Sequence, residues 1–235
     1  RFALWPERRA ALDRVRAYDA LALLARIDAD AALMYLGELA QQTRYADLQT
    51  RAQALLEATA AERGLSLAQL ADRTVPDLGL DARGRLELDF GPRRFPVRLD
   101  GQLQLALYDA GGRRLKALPK PNAADDAVLA AAATARLKDL RKQAVALAAT
   151  QFRRLEAAMC AQRRWDAAEF LDFFAHHPVM RAASAALVWG VFDGQDRLQQ
   201  AFRIAEDRTL ADGRDDRFTL PEELPVGLPH PLALR

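Results

Sequence analysis

Hydrophobic and polar positions change their rhythm along this chain, and the changes divide it. Residues 7–73 follow a helical period. Leu12, Val15, Leu23, Leu24 and Ile27 give a loose first unit, and Ala31 to Gln41 a second with Leu33, Leu36, Leu39 and Ala40 apolar. Tyr45 to Arg63 is a third unit, with Leu48, Ala52, Leu55, Leu56 and Thr59 on one side and Gly64 as a stop. Ser66 and Gln69 stand at capping-box spacing and open a short fourth helix ending near Arg73. Short consecutive amphipathic helices suggest HEAT-like helical hairpins or an irregular bundle.

From Val75-Pro76 the period becomes two. Arg85–Phe90, Phe95–Leu99, Leu103–Tyr108 and Arg113–Leu118 read as an antiparallel β-meander broken by Gly91-Pro92, Asp100-Gly101 and Gly111-Gly112. Asp125 to Arg164 then runs without Gly or Pro and is rich in strong helix formers. Leu129, Ala133, Leu137, Leu140, Ala144, Leu147, Ala148, Leu155 and Met159 form its apolar stripe. At ~1.5 Å per residue this helix spans about 60 Å, so a break is expected near Ala148-Ala149-Thr150. Beyond it, Asp166 and Glu169 predict a capped helix to about His176, and Pro178 opens a short one to about Ala186. Leu187–Asp193 and Gln199–Glu206 read as strands, and the tail from Leu220 as irregular surface chain. The two β regions are expected to complete one sheet with helices on one face. The class is therefore α+β: N-terminal helical hairpins, an antiparallel meander, a long central helix, then further helices and strands. Residues 1–75 form the helical region and residues 76–235 the α+β domain.

Composition narrows the function classes. The chain has 235 residues, 51% of them hydrophobic, and a formal net charge of +2. That balance is not the strong basic excess of a dedicated nucleic-acid domain. The single cysteine, Cys160, excludes an intramolecular disulfide framework and fits a reducing, cytoplasmic setting. No run of about 18 apolar residues marks a membrane span, so no membrane partner is expected. The first residue is Arg1 rather than Met, and the last stretch follows Pro229-His230-Pro231; both suggest a piece of a longer protein.

Chemistry-bearing motifs are sparse. His176 and His177 are adjacent, so their side chains diverge by about 100° on a helix and suit one metal ion poorly. The acidic stretch from Asp207 to Asp216 lacks the ligand spacing of a calcium-binding EF-hand loop and reads as a solvated hairpin. No Gly-x-Ser-x-Gly, phosphate-binding loop or dinucleotide fingerprint occurs. Cys160 has basic neighbours but sits near the apolar stripe, where burial is expected. The aromatics from Trp165 to Phe202 read as core rather than as a base-stacking platform. Catalytic, cofactor and metal residues are accordingly assigned as none. The basic face of the central helix, with Lys138, Arg141, Lys142, Arg153 and Arg154, is the candidate nucleic-acid surface.

Several segments together carry a resemblance. They are Leu70–Asp81, Leu118-Pro119-Lys120-Pro121 with Asp125-Asp126, Arg154–Met159 with Arg163-Arg164-Trp165, His177-Pro178, Leu187–Gly190 and Phe202–Asp207. In that order they resemble a large bacterial family of unknown function often found with WGR domains, some of whose members carry the label molybdate metabolism regulator-like (MolR-like). The resemblance covers residues 65–235 and implies no catalytic residues. It implies a non-catalytic interaction or scaffold module of a bacterial multidomain protein, with protein partners or other domains of the same chain. A nucleic-acid-associated regulatory module is the alternative, and an enzyme of unknown reaction the third reading.

Overall fold

A computed structural model describes residues 7–27 and 29–234; the side chain of Leu12, placed above in the first helical stripe, lies outside the described ones. The chain divides into two compact units, residues 1–76 and 77–235.

The first unit is helical: α1 (Glu7–Arg26), α2 (Asp30–Gln42), α3 (Ala46–Glu62) and α4 (Leu67–Arg73). Leu21, Leu36 and Ala52 join the first three helices, and Leu33, Ala60 and Leu70 join the last three. Val15, Leu23 and Ile27 are exposed, so α1 buries a different stripe from the expected one. The capping box at α4 forms in full: the Ser66 hydroxyl accepts from the Gln69 amide at 3.2 Å, and the Gln69 side chain accepts from the Ser66 amide at 3.0 Å.

The second unit opens with a four-stranded antiparallel meander, β1 (Arg85–Asp89), β2 (Arg94–Leu99), β3 (Leu105–Tyr108) and β4 (Arg114–Leu115), in sequential order. Its inward face, Leu88, Phe90, Phe95, Val97 and Leu107, packs on Ala130, Ala133 and Leu137 of α5 (Ala127–Cys160). The alanines let the sheet approach the helix closely. Asp126 caps α5, its carboxylate accepting from the amides of Val128 at 2.8 Å and Leu129 at 3.0 Å. Asp125 is turned the other way and takes two hydrogen bonds from the Arg93 guanidinium, at 2.9 and 2.5 Å. Those bonds hold its carboxyl below the ordinary carboxylate range. Replacing Asp126 with Ala should lower the stability of this unit by about 1 kcal/mol, with Asp126→Ser near neutral. Thermal unfolding of the two variants checks this, and equal losses would contradict the capping role.

The expected break in the long helix does not occur: α5 is continuous for 34 residues. Nothing in it removes a backbone donor, and around Ala149 the buried Thr150 and Gln151 hold the register by packing. Leu129, placed on the stripe by spacing, is 40% exposed because it sits in the first turn.

A second sheet follows, in the order β5-β10-β6-β7-β8-β9. Its strands are β5 (Arg164–Trp165), β6 (Trp189–Phe192), β7 (Leu198–Ile204), β8 (Leu210–Asp212), β9 (Arg217–Phe218) and β10 (Val226–Gly227). The two β regions thus form two sheets, not one. The tail makes the difference: Val226-Gly227, expected to be irregular surface chain, inserts between β5 and β6 and is buried. The second sheet therefore completes itself without borrowing from the first. Helix α6 (Ala167–Phe170) widens into a π-helical turn over Leu171–His176, and α7 (Met180–Ser184) follows. Asp166 takes the N-cap position of α6, but its carboxylate receives no backbone hydrogen bond, so the expected capping box is absent. Phe170, Phe174, Trp189 and Phe202 are buried together, with ring centroids 4.8 to 6.1 Å apart along the cluster.

One loop design recurs through this unit. At Asp81, Asp100, Asp109, Asp193 and Asp212 the amide bonds the carbonyl four residues on, at 2.7 to 3.0 Å. In each case the same carboxylate accepts from the amides two and four residues later, at 2.8 to 3.1 Å. The fourth residue has positive φ: Gly84, Leu103, Gly112, Asp196 and Asp215. This is a type I turn followed by a left-handed residue, the three-residue hairpin loop. Backbone bonding, chiefly from the amides of Arg85, Arg113 and Arg197, holds Asp81, Asp109 and Asp193 below the ordinary carboxylate range. Their contribution to stability is complete above about pH 4 and is lost as pH falls through the depressed values. Thermal midpoints taken between about pH 7 and about pH 2 should stay level to about pH 4 and then fall. A midpoint rising in acid would contradict this.

Candidate anion-binding cleft

A heavily charged concavity in the second unit lies between the β1–β2 edge, α7 and the end of β7. It has a volume of about 810 Å³, within the range of ligand sites. Arg83, Arg85, Arg98, Arg181, Arg203 and Arg208 line it, against the single acid Glu206. Its remaining lining is Gly, Ala, Pro, Leu and Ile, with no aromatic, hydroxyl, amide, His or Cys side chain.

Local structure explains how these arginines converge. Arg83 and Arg85 ride on the Asp81 loop, whose fourth residue, Gly84, has φ +70. A Cβ at Gly84 would stand 3.0 Å from Arg181 Nη2 and 3.2 Å from the Pro178 carbonyl oxygen, so glycine permits α7 to approach. Arg181 Nη2 donates to the Arg83 carbonyl at 2.9 Å. His177, expected at a helix boundary, positions that arginine: its Nδ1 accepts from the Val179 and Met180 amides at 3.3 and 3.2 Å. Arg98 comes from β2, directly opposite Arg85 in register. Like charges placed opposite each other on neighbouring strands repel. Arg208 occupies the left-handed position of the β7–β8 loop, with φ +75.

The charges are unevenly answered. Arg203 bonds Asp215 at 2.6 Å, and Arg85 stands 3.8 Å from Asp81. Among the described residues, Arg83, Arg98, Arg181 and Arg208 have no carboxylate within 4.0 Å. Arg181 Nε is buried without a hydrogen-bond partner. Burial, followed by the positive charge of Arg208, pulls the Arg181 guanidinium below its ordinary value, against the opposing pull of Asp81. Such an arrangement attracts and orients anions.

The basic face of α5 is differently built. Lys138, Arg141, Lys142 and Arg153 are exposed, and Arg154 is half-buried and donates to the Gln151 side chain. Lys138, Arg141 and Lys142 share about one turn. Arg153 lies roughly three turns further on, bonded to the Ala149 carbonyl at 3.0 Å, with exposed Val145 between. Arg154 falls on the side of the helix, away from the other four. Cys160 is exposed at the end of α5, against the expectation of burial. No group of three or more potential metal ligands occurs among the described residues. No helix among them is long and apolar enough to cross a membrane.

Sequence reasoning passed over the arginine cleft because its members are scattered from Arg83 to Arg208, with no local run. One signal was present. The alternation of β1 and β2 with their short connection places Arg85 and Arg98 opposite each other, like charges of which Asp81 answers only Arg85.

Residues 112–235 match the family described as Domain of unknown function (DUF4132). The "Uncharacterized protein YehI" of Escherichia coli (strain K12) is 37% identical over 232 residues, covering 98% of this chain. The chain spans about a fifth (19%) of the length of that relative. No solved structure matches the chain.

Proposed function

The chain belongs to the DUF4132 family, whose function is unknown, and on that footing we propose that it is a non-catalytic interaction module that holds an anionic ligand in the arginine cleft. The observation that carries this reading is the gathering of six arginines in a single concavity, four of them with no carboxylate within 4.0 Å among the described residues. The lining offers charge and guanidinium donors but neither a nucleophile nor a pair of carboxylates, which supports binding over catalysis. The module belongs to a bacterial multidomain protein of the WGR-associated, MolR-like kind and works in the cytoplasm, where an exposed free thiol is stable. Its partner is a protein or another domain of the same chain.

Titration calorimetry at low salt with sulfate, phosphate and citrate tests the anion reading. Binding that weakens as salt rises, and that Arg181→Gln reduces about tenfold, is expected. Absence of binding by every anion would refute it.

A second reading, nucleic-acid association through α5, is favoured by the exposure of Lys138, Arg141 and Lys142, with no carboxylate within 4.0 Å of them among the described residues. Fluorescence anisotropy with labelled single-stranded, duplex and nicked DNA at two salt concentrations decides it. Salt-sensitive binding abolished by Arg141→Glu with Lys142→Glu would support it. Binding lost instead on substitution in the cleft would move the nucleic acid there.

A further inference from the structure

We infer that the anion held by the cleft is an oligophosphate, a chain of at least two linked phosphates recognised without its substituent. This rests on the anion reading above and makes it specific. Two separate centres of positive charge face the same cavity. One is Arg181 with Arg83 and Arg208, where the buried Nε of Arg181 lacks a partner. The other is Arg98, opposite Arg85 in register and with no carboxylate within 4.0 Å among the described residues, whereas Arg85 is answered by Asp81. Arg203 is already answered by Asp215 and adds little. A single phosphate at the first centre leaves Arg98 without a counter-charge; a linked chain can answer both.

The lining also says what is not read. A nucleobase or sugar is commonly read by an aromatic face or neutral hydrogen-bonding side chains, and this lining supplies neither. Ala182, Ala185 and Ala186 of the α7 segment, with Gly84 and Gly101, present a smooth wall of small residues. That wall suits a ligand recognised by charge alone. Carboxylates are weaker candidates because they carry fewer acceptor oxygens per charged centre than phosphates. An oligophosphate reaches a protein either as a free inorganic chain or as part of a nucleotide, and both present the same linked phosphates.

The test is titration calorimetry of the whole chain, at low salt and without divalent metal, with tripolyphosphate, orthophosphate, citrate and a nucleoside triphosphate. Tripolyphosphate should bind at least about tenfold more tightly than orthophosphate or citrate, the difference of one further charge-assisted contact. The nucleoside triphosphate should match tripolyphosphate to within a few-fold. Arg98→Gln and Arg208→Gln, both on the surface, should each weaken tripolyphosphate about tenfold, while Arg153→Gln on α5 leaves it unchanged. Citrate binding as tightly as tripolyphosphate would overturn the oligophosphate inference and leave the anion reading standing. A nucleotide preferred more than about tenfold would overturn recognition of the bare chain. Equal loss in Arg153→Gln would show diffuse attraction and overturn the inference. Binding of none of the four would remove both readings.

Discussion

Replacing Trp189 with Ala is expected to remove a large share of the stability of the second unit. Trp189 is fully buried, and its ring lies 4.8 Å from Phe170, 5.1 Å from Phe174 and 5.9 Å from Trp165. Truncating a buried aromatic costs about 3–5 kcal/mol, transfer and cavity terms together. A domain of ordinary stability has only about 5–15 kcal/mol to lose. The indole also donates to the Ser184 carbonyl at 3.0 Å, tying α7 to the second sheet. Trp189→Phe keeps most of the packing and loses that bond, a loss of about 1 kcal/mol. Near-ultraviolet circular dichroism and thermal unfolding distinguish the two. The alanine variant should lose much of its aromatic signal and unfold well below the phenylalanine variant, which keeps a slightly lowered midpoint. Val188→Ala, at a side chain 48% exposed, should change little. A cooperative alanine variant of near-native midpoint would show that the aromatic cluster is not the core.

The second large effect is expected at Gly227. A Cβ there would stand 2.9 Å from the Arg163 carbonyl oxygen and 2.9 Å from Arg164 Nη1. The first of these atoms is backbone, beside the paired strand β5, and cannot swing aside. Gly227→Val should therefore reach the upper part of the overpacking range, about 3 kcal/mol. For a unit of this size that lowers the thermal midpoint by roughly 6–12 °C. Gly190, its partner in register, is less exacting at its closest point, because a Cβ there first meets the end of the Leu198 side chain, at 2.3 Å. Gly213→Ala, with nothing within 4 Å, is the neutral comparison. A Gly227→Val midpoint no lower than that of Gly213→Ala would refute the close approach of β10 to β5.

Where the pattern of residues was local, it was legible. The meander announced itself through alternation and turn residues, and the Ser66–Gln69 box through its spacing. The long helix was visible in its freedom from Gly and Pro, although its continuity through Ala149 was not, because Thr150 and Gln151 are held by packing that spacing does not reveal. The tail strand was hidden for a different reason. Two residues, Val226 and Gly227, are too few to show a period, and they owe their extended pairing to strands far away in sequence. The arginine cleft was hidden likewise, since Arg83, Arg98, Arg181 and Arg208 meet only after the first sheet, α7 and the β7–β8 loop have come together. Cys160 was expected inside because it follows Leu155 and Met159 along one helix, yet it is the last helical residue and faces out.

The placement of β10 has a kinetic meaning. Strands β1 to β4, and β6 to β9, pair with their neighbours in sequence through short aspartate-braced loops, so each meander can zip within microseconds of its first turn. Val226 meets Trp165 only when a loop of about 60 residues has closed, and that closure carries the largest chain-entropy cost in the second sheet. The last strand is then a latch that drops after the hairpins are made, and the rate at which the indole environments of Trp165 and Trp189 become native follows the latch rather than the hairpins.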